Sequence, residues 1–496
     1  MFKLNLNLNF LKNPGFNLNL KSKYSIIAQI TALCLVVLYF LFSYARLNNW
    51  SDSFGNGPLG ASTRVHSFNP SSIDFASYDP PMDPELGAKA AFLIPPILDR
   101  ADTSVERMSC PQINVTRYGY LRPHVGWWKP KQTKYVFALN LRKIAPLLPR
   151  LLGSVVEVMR FLGPKYCALS IIEGNSDDGT LEALRLLGGE LEKIGVDYWL
   201  ARSSLDPLKG ERMRIKKLAM LRQMAIEPLS GPVEILHGKN GTPPEVDPGQ
   251  LTYYSKPAIE KLDMFPNATV AFINDVSACE EDILELIHQR EFQDADMTCG
   301  MDWNDPDSGN SLPGPTPTFY DVWVARSMSG SMFFDIPLSG SWENSKNLFW
   351  DHPATQHRFN ASVPFQVFAC WNGAVAVAAE PFASGEVAFR ASRPGECYQG
   401  EPELLCKDLW WLGRGRIAAV PGVNLGYNDG KWGRWIKEER GYVSDVVRLQ
   451  SAREAEWGVE ERIQWEEKPP EMVNCVETWT KQEHRPWNES LTLRGI

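Results

Sequence analysis

Two apolar runs of this chain break abruptly into acid. "YCALSIIE" ends at Glu173 and is followed by Gly-Asn-Ser-Asp177-Asp178-Gly-Thr, and "ATVAFIND" ends at Asn274 and Asp275. A carboxylate at the end of a strand is suited to hold a hard divalent cation such as Mg or Mn, which takes oxygen ligands. The same residue types also cap helices, and the acids Glu280, Glu281 and Asp282 after the second run suit a helix first turn, where the dipole favours negative charge. Trp371, Asn372 and Gly373 close a third apolar run. Here an indole can lie on the apolar face of a pyranose and an amide can bond hydroxyls in both directions; the alternative is a core Trp beside a turn.

These residues need a scaffold, and the hydrophobic periodicity supplies one. "YVFALNL" reads as a strand, "IAPLLPRLLGSVVEVMRFLG" has helical spacing, "YCALSII" is a second buried strand, and "DGTLEALRLLGGELEKIG" is an amphipathic helix leading to the strand "VDYWLA". The alternation βαβαβ implies parallel pairing, with ligands gathered beyond the carboxyl ends of the strands. Both acid-ended runs obey that rule. A basic helix, "ERMRIKKLAMLRQMAIEPL", follows, then a Gly/Pro/Asn-rich excursion from about Gly231 to Gly249. "GRGRIA" at Gly413–Ala418 matches a loose dinucleotide fingerprint but precedes a strand-like run instead of opening a helix, and "GNSDDG" lacks the G-x-S-x-G order of a hydrolase elbow. The tryptophans from Trp432 to Trp487 read as packing.

The whole chain has 496 residues, 44% hydrophobic and 22% charged, with a net charge of -8. That is globular composition without the basic footprint of nucleic-acid binding. Ser25 to Ala45 carries no charge and is long enough to cross a bilayer; four lysines and no acid precede it, so the amino terminus belongs on the cytosolic side. A cleaved signal peptide is the alternative, but its apolar core is usually shorter. The division is a tail at 1–23, an anchor at 24–45, a Ser/Asn/Pro/Gly-rich stem at 46–96 and a lumenal catalytic domain at 97–496. Sequons stand at Asn49, Asn114, Asn240, Asn267, Asn360 and Asn488, and of nine cysteines only Cys34 lies in the span, leaving an even eight for an oxidising lumen.

The βαβαβ opening, the "EGNSDDGT" elbow and the strand ending in Asn-Asp resemble the nucleotide-sugar domain of a glycosyltransferase with the A-type, Rossmann-like α/β fold. With "FINDV", "ADMTCGMDW", "FYDVWVAR", "PFQVFACWNG" and "LLCKDLWWLGRGRIAAVPGVNLGY", roughly Lys134 to Tyr427, the chain resembles the fungal capsule-associated α-1,3-mannosyltransferase family. That resemblance implies a single-span type II Golgi glycoprotein moving mannose from GDP-mannose to a mannoside acceptor of capsule or cell-wall polysaccharide, with retention of configuration and a divalent cation. It also implies that Glu173 and Asp177 face the nucleoside and that Arg214 and Arg222 face phosphate, for which the planar guanidinium is suited. Asp275 stands in for the first acid of the Asp-x-Asp metal signature of A-type glycosyltransferase folds, Trp371, Asn372 and Gly373 at the sugar, and Glu401 and Asp408 near the reacting carbon. Three departures stand out: Ser277 occupies the second acid position, Ser327 follows Arg326 where the family has Asp, and Gly400-Glu401-Pro402 replaces Ser-Glu-Cys. The second metal ligand is then left to Glu280–Asp282, to Asp302 or to a residue further along the chain. A catalytically silent scaffold with the same fold is the rival reading, and a glycosidase, which needs paired carboxylates and no nucleotide, a third.

Overall fold

The computed structural model describes residues 81–123, 131–210, 213–230, 251–255, 262–305 and 316–491. The tail, the apolar stretch at 24–45, most of the stem, the excursion at Gly231–Gly249 and the sequons at Asn49 and Asn240 lie outside them. Among the described residues no helix is long and apolar enough to cross a membrane.

The opening alternation folds as β1 (Thr133–Leu141), α2 (Leu148–Leu162), β2 (Cys167–Glu173), α3 (Thr180–Lys193) and β3 (Asp197–Ser203), preceded by α1 (Pro84–Leu98). β1 pairs in parallel with β2, and β2 with β3. Every residue of β2 is buried, as a strand covered on both faces requires. α2 begins only after a 3-10 turn at Ala145–Leu147, since Pro146 and Pro149 suit a helix entry and not its interior. α1 falls in the stretch read as the end of the stem, yet its Ala90 and Ile97 are buried in the domain core.

The chain continues through α4 (Arg214–Ala225), β4 (Leu251–Tyr253), β5 (Met264–Ile273), α5 (Glu280–Phe292), β6 (Met297–Asn304), β7 (Thr318–Phe319), α6 (Pro353–Asn360), β8 (Phe365–Gln366), β9 (Ala374–Ala378), α7 (Glu401–Trp411), β10 (Ile417–Leu425), α8 (Lys431–Arg440), α9 (Val443–Trp457) and the hairpin β11 (Met472–Thr478) and β12 (Lys481–Pro486). The sheet order is β4-β3-β2-β1-β5-β9-β6-β10-β8, with β7 on β6. β9 runs antiparallel to both its neighbours, Phe272 and Cys299 each opposite Val375. β1, β2, β3, β5, β6 and β10 therefore share one direction, and the start of β9 lies level with the end of β5 and the middle of β6. "GRGRIA" runs into β10, in agreement with its rejection as a dinucleotide motif.

Strand alternation divides the core. Val136, Ala138, Val270 and Phe272 face α4 residues such as Met220 and Met224, while Phe137, Leu139, Ala271 and Ile273 face α2, α3 and α5. Disulfides Cys110–Cys279, Cys299–Cys370 and Cys397–Cys475 join segments distant in sequence, and Cys167 and Cys406 are buried thiols.

Candidate functional site

A cleft of about 650 Å³ opens where α4, the ends of β5 and β10, the approach to β9 and the start of α7 meet. Its floor is built from one junction. The Asn274 N–H donates to the Gly373 carbonyl at 2.9 Å, joining the end of β5 to the start of β9. Gly373 has φ +83°, and a Cβ there would press on Val276, Leu425 and Asp302. The Trp371 indole N–H donates to Asn274 Oδ1 at 3.0 Å. Arg222 reaches across from α4, donating through Nε to Glu401 Oε1 at 2.7 Å and through Nη1 to Asn274 Oδ1 at 3.4 Å. Its guanidinium lies over Trp371 at 4.3 Å and Phe272 at 5.2 Å from the ring centroids. Arg222 and Glu401, assigned separate tasks from sequence, are thus one ion pair. Arg214 is exposed and lines the same cleft.

Beside this junction lies a pair of acids. Asp302, in β6, is fully buried; Tyr427 donates to its Oδ2 at 2.6 Å, and its Oδ1 has no partner. Burial and then the charge of Asp321 hold Asp302 well above the usual carboxylate range. Asp321 accepts the Asn372 N–H at 3.0 Å and is pushed up to about 6, chiefly by burial. Asp275 reaches solvent, yet protein on its other sides raises its carboxyl as well. After burial, the charges of Asp302, Asp321 and Asp275 raise the Tyr320 hydroxyl and Arg214 lowers it.

The remaining expected residues sit differently. Asn372 is fully buried at φ +50°, its Nδ2 donating to the Gly300 carbonyl at 2.8 Å, so its side chain shapes the floor from beneath. Glu173 is buried and accepts the N–H groups of Asn175 at 3.1 Å and Ser176 at 2.6 Å; it folds the elbow from inside. Asp178 accepts the Thr180 N–H at 3.1 Å and the Ala145 N–H at 3.0 Å, the capping role of the sequence alternative. Asp177 is exposed and meets Lys143 at 2.9 Å. Asp408 is buried with both oxygens on Arg390, at 2.7 and 3.0 Å, and does not line the cleft. Its expected place beside Glu401 is therefore not observed, because seven residues along α7 carry it to a different ion-pair network.

Of the possible second metal ligands, Asp282 is committed to Lys437 at 2.7 Å, Glu281 accepts the Ser444 N–H at 3.1 Å, and Glu280 lies 3.6 Å from Arg100. Ser277 turns into the interior toward Asp429 at 3.1 Å. Asp302, with one buried oxygen without a partner and the other on the cleft-lining Tyr427, is the one of these acids that could offer an oxygen to a divalent cation. Among the described residues a separate group, Glu285, His288 and Glu461, brings potential ligand atoms within 4.8 Å of one another. Arg117 already spans its two carboxylates at 2.8 and 2.9 Å, so a cation there competes with a guanidinium. Tyr320, Asp321, Tyr427 and the aromatic wall described below were missed as site residues. "FYDVWVAR" was visible as a motif, but nothing local shows that its Asp321 folds back against Asp302.

The profile of the family described as Cryptococcal mannosyltransferase 1 matches residues 134–408, from β1 to the middle of α7. The chain belongs to this family. An alpha-1,3-mannosyltransferase of Cryptococcus neoformans var. neoformans serotype D is 29% identical over 378 residues, covering 73% of this chain and 70% of the relative. Crystal structures of Staphylococcus aureus TarS 1-349 align over 66% of the chain at 11% identity and TM-score 0.29, and in complex with UDP at 10% identity and TM-score 0.30. Similarity that slight supports no argument. Within the Cryptococcal mannosyltransferase 1 match lie Arg214, Arg222, Asp275, Asp302, Asp321, Trp371 and Glu401; Tyr427 and the β11–β12 hairpin lie beyond it.

Proposed function

We propose that this protein is an A-type, retaining alpha-1,3-mannosyltransferase that transfers mannose from GDP-mannose to a mannoside acceptor, as a single-span type II Golgi enzyme. The observation that carries the reading is the cleft lined by Arg214, Arg222, Asp321 and Glu401 at the carboxyl ends of the strands, with Asp275 next in sequence to the lining Asn274 and Asp302 bonded to the lining Tyr427, in a chain of the mannosyltransferase family. Support for the A-type fold comes from the βαβαβ opening and from β9 inserted antiparallel between β5 and β6.

The cleft's charges suit an anionic donor, with Arg214 placed to meet phosphate and the elbow of Glu173 and Asp177 lying toward the nucleoside side. Oxygen ligands from Asp275 and Asp302 suit Mg or Mn, and such an ion supplies charge stabilisation to the leaving diphosphate. In the transfer, an acceptor hydroxyl oxygen bonds the mannose anomeric carbon as the bond to the diphosphate oxygen breaks. The hydroxyl proton passes to that leaving oxygen, on the same face, so the α configuration is kept. Glu401, held by Arg222, keeps a negative charge beside the carbon as positive charge develops there.

The scaffold reading draws on one observation, the Ser277 side chain turned away from the cleft. Asp275→Asn decides between the two. The variant should keep its circular dichroism while GDP-mannose-dependent transfer falls by orders of magnitude, each 1.36 kcal/mol of lost transition-state stabilisation costing about tenfold. Wild-type turnover in the variant overturns the role of Asp275, and no turnover by the wild type with any nucleotide sugar and metal overturns the enzyme reading.

A further inference from the structure

The cleft has a second wall of different chemistry. Trp323 and Trp479 stack with ring centroids 4.0 Å apart and planes 28° from parallel, and Trp323 remains 43% exposed. Both line the cleft together with Trp342 and Tyr398, and Tyr320 and Tyr398 add 40% and 38% exposed aromatic surface. Solitary exposed aromatics are ordinary on a protein surface, but a contiguous group inside a cleft marks a ligand face.

That wall is built by long-range devices. Trp479 sits in the turn between β11 and β12, and a two-stranded ribbon has little stability alone. Cys475 in β11 is bonded to Cys397, four residues before Glu401, so the hairpin is clipped to the loop that enters α7. The buried Arg326 donates through Nε to the Asn474 carbonyl at 2.8 Å, and the Asn474 N–H donates to the Gly330 carbonyl at 2.8 Å. Gly340, at φ +75°, lets the backbone pass against the indole: a Cβ there would stand 3.1 Å from Trp479 Cδ1. Arg326 and Gly340 thereby act as positioning residues for the ring.

Charge separates the two ends of the cleft. Its lining cations are Arg214 and Arg222, both on α4, whereas the aromatic wall is flanked by Glu477, Gln399 and Tyr398. The Glu477 carboxylate is paired with Lys481 at 2.5 Å and lies 3.7 Å from Arg485, so the flat apolar surface, edged by this pair, an amide and a hydroxyl, carries none of the cleft's lining arginines and matches a neutral hexose, whose ring face is apolar and whose rim is hydroxyl. Resting on the transferase reading above, we propose that the Trp323–Trp479 stack is the acceptor platform, binding the pyranose ring of an α-mannoside.

The test uses Trp479→Ala, Trp323→Ala and the conservative Trp479→Phe. In the wild type, titration with α-mannobiose in the absence of donor should change the tryptophan fluorescence saturably. Trp479→Ala and Trp323→Ala should weaken that binding by about tenfold and raise the acceptor KM to a similar extent, while Trp479→Phe retains most of it. GDP-mannose affinity, read by calorimetry, should stay within about twofold of wild type, since the donor's phosphates belong to the α4 end. Absence of mannobiose binding by the wild type, or unchanged binding in both Ala variants, overturns the platform. Loss of donor and acceptor affinity together, in Trp479→Phe as well as the Ala variants, also overturns it by showing a packing role. Because the sugar titration needs no transfer, failure of the platform and failure of the transferase reading give different results.

Discussion

Arg222 illustrates how a residue's neighbours decide what it can do. From sequence it reads as a phosphate ligand, but its Nε belongs to Glu401, a side chain 2% exposed. Removing one partner of a buried pair leaves an uncompensated charge, which costs far more than the pair itself contributes. Arg222→Ala should accordingly lower the unfolding free energy by about 3–5 kcal/mol in chemical denaturation, as well as weakening donor binding. Loss of donor affinity with unchanged stability would show that Glu401 does not depend on the pairing. Asp408→Asn, by contrast, changes a residue outside the cleft lining, and its effect should appear in stability more than in donor KM, given that both its oxygens serve Arg390.

At the scale of elements, α7 and the hairpin form one unit. Glu403, in the first turn of α7, is fully buried 3.5 Å from Arg326, and neither of its oxygens has a hydrogen-bond partner. Burial pushes its carboxyl up to about 7, against the pull of Arg326 and Lys407. The folded value lies above the ordinary 4.5, so the native state holds this proton more tightly than the unfolded chain. Its contribution to stability is full below about 4.5 and is lost as pH rises through about 7. Glu403→Gln, neutral throughout, should match wild type near pH 5 and show the higher melting temperature near pH 8. The covalent clip makes a second prediction. Cys475→Ser should lower the unfolding free energy by about 2–4 kcal/mol and raise the acceptor KM more than the donor KM, because the turn bearing Trp479 is freed.

For the molecule as a whole, the surface and the disulfides bear on the expected compartment. Asn114, Asn267 and Asn360 are exposed within the described domain, and three disulfides tie it together. If the apolar stretch Ser25–Ala45 anchors the domain in a lumen, the native protein should sediment with membranes and lose mass on endoglycosidase treatment. A full-length, unglycosylated protein in the soluble fraction would defeat that topology.

Local chemistry determined much of this. The strands β1, β2 and β3, the helices between them and the acid that ends β5 follow from hydrophobic period, proline position and turn residues, all of which act over a few neighbours. Asp178 as a cap and Asp275 at a strand end are legible for the same reason. What only the tertiary structure decided is which distant groups meet. The insertion of β9 between β5 and β6 sets Asn274 against Gly373, and the return of the chain after β6 sets Asp321 beside Asp302. Arg222 finds Glu401 across 179 residues, and Trp323 finds Trp479 in a tail that composition alone reads as packing. Such encounters depend on strand order, buried ion pairing and a disulfide. None of these leaves a local period in the sequence, because each is a property of the closed sheet and its covering helices, not of the segment that carries the residue.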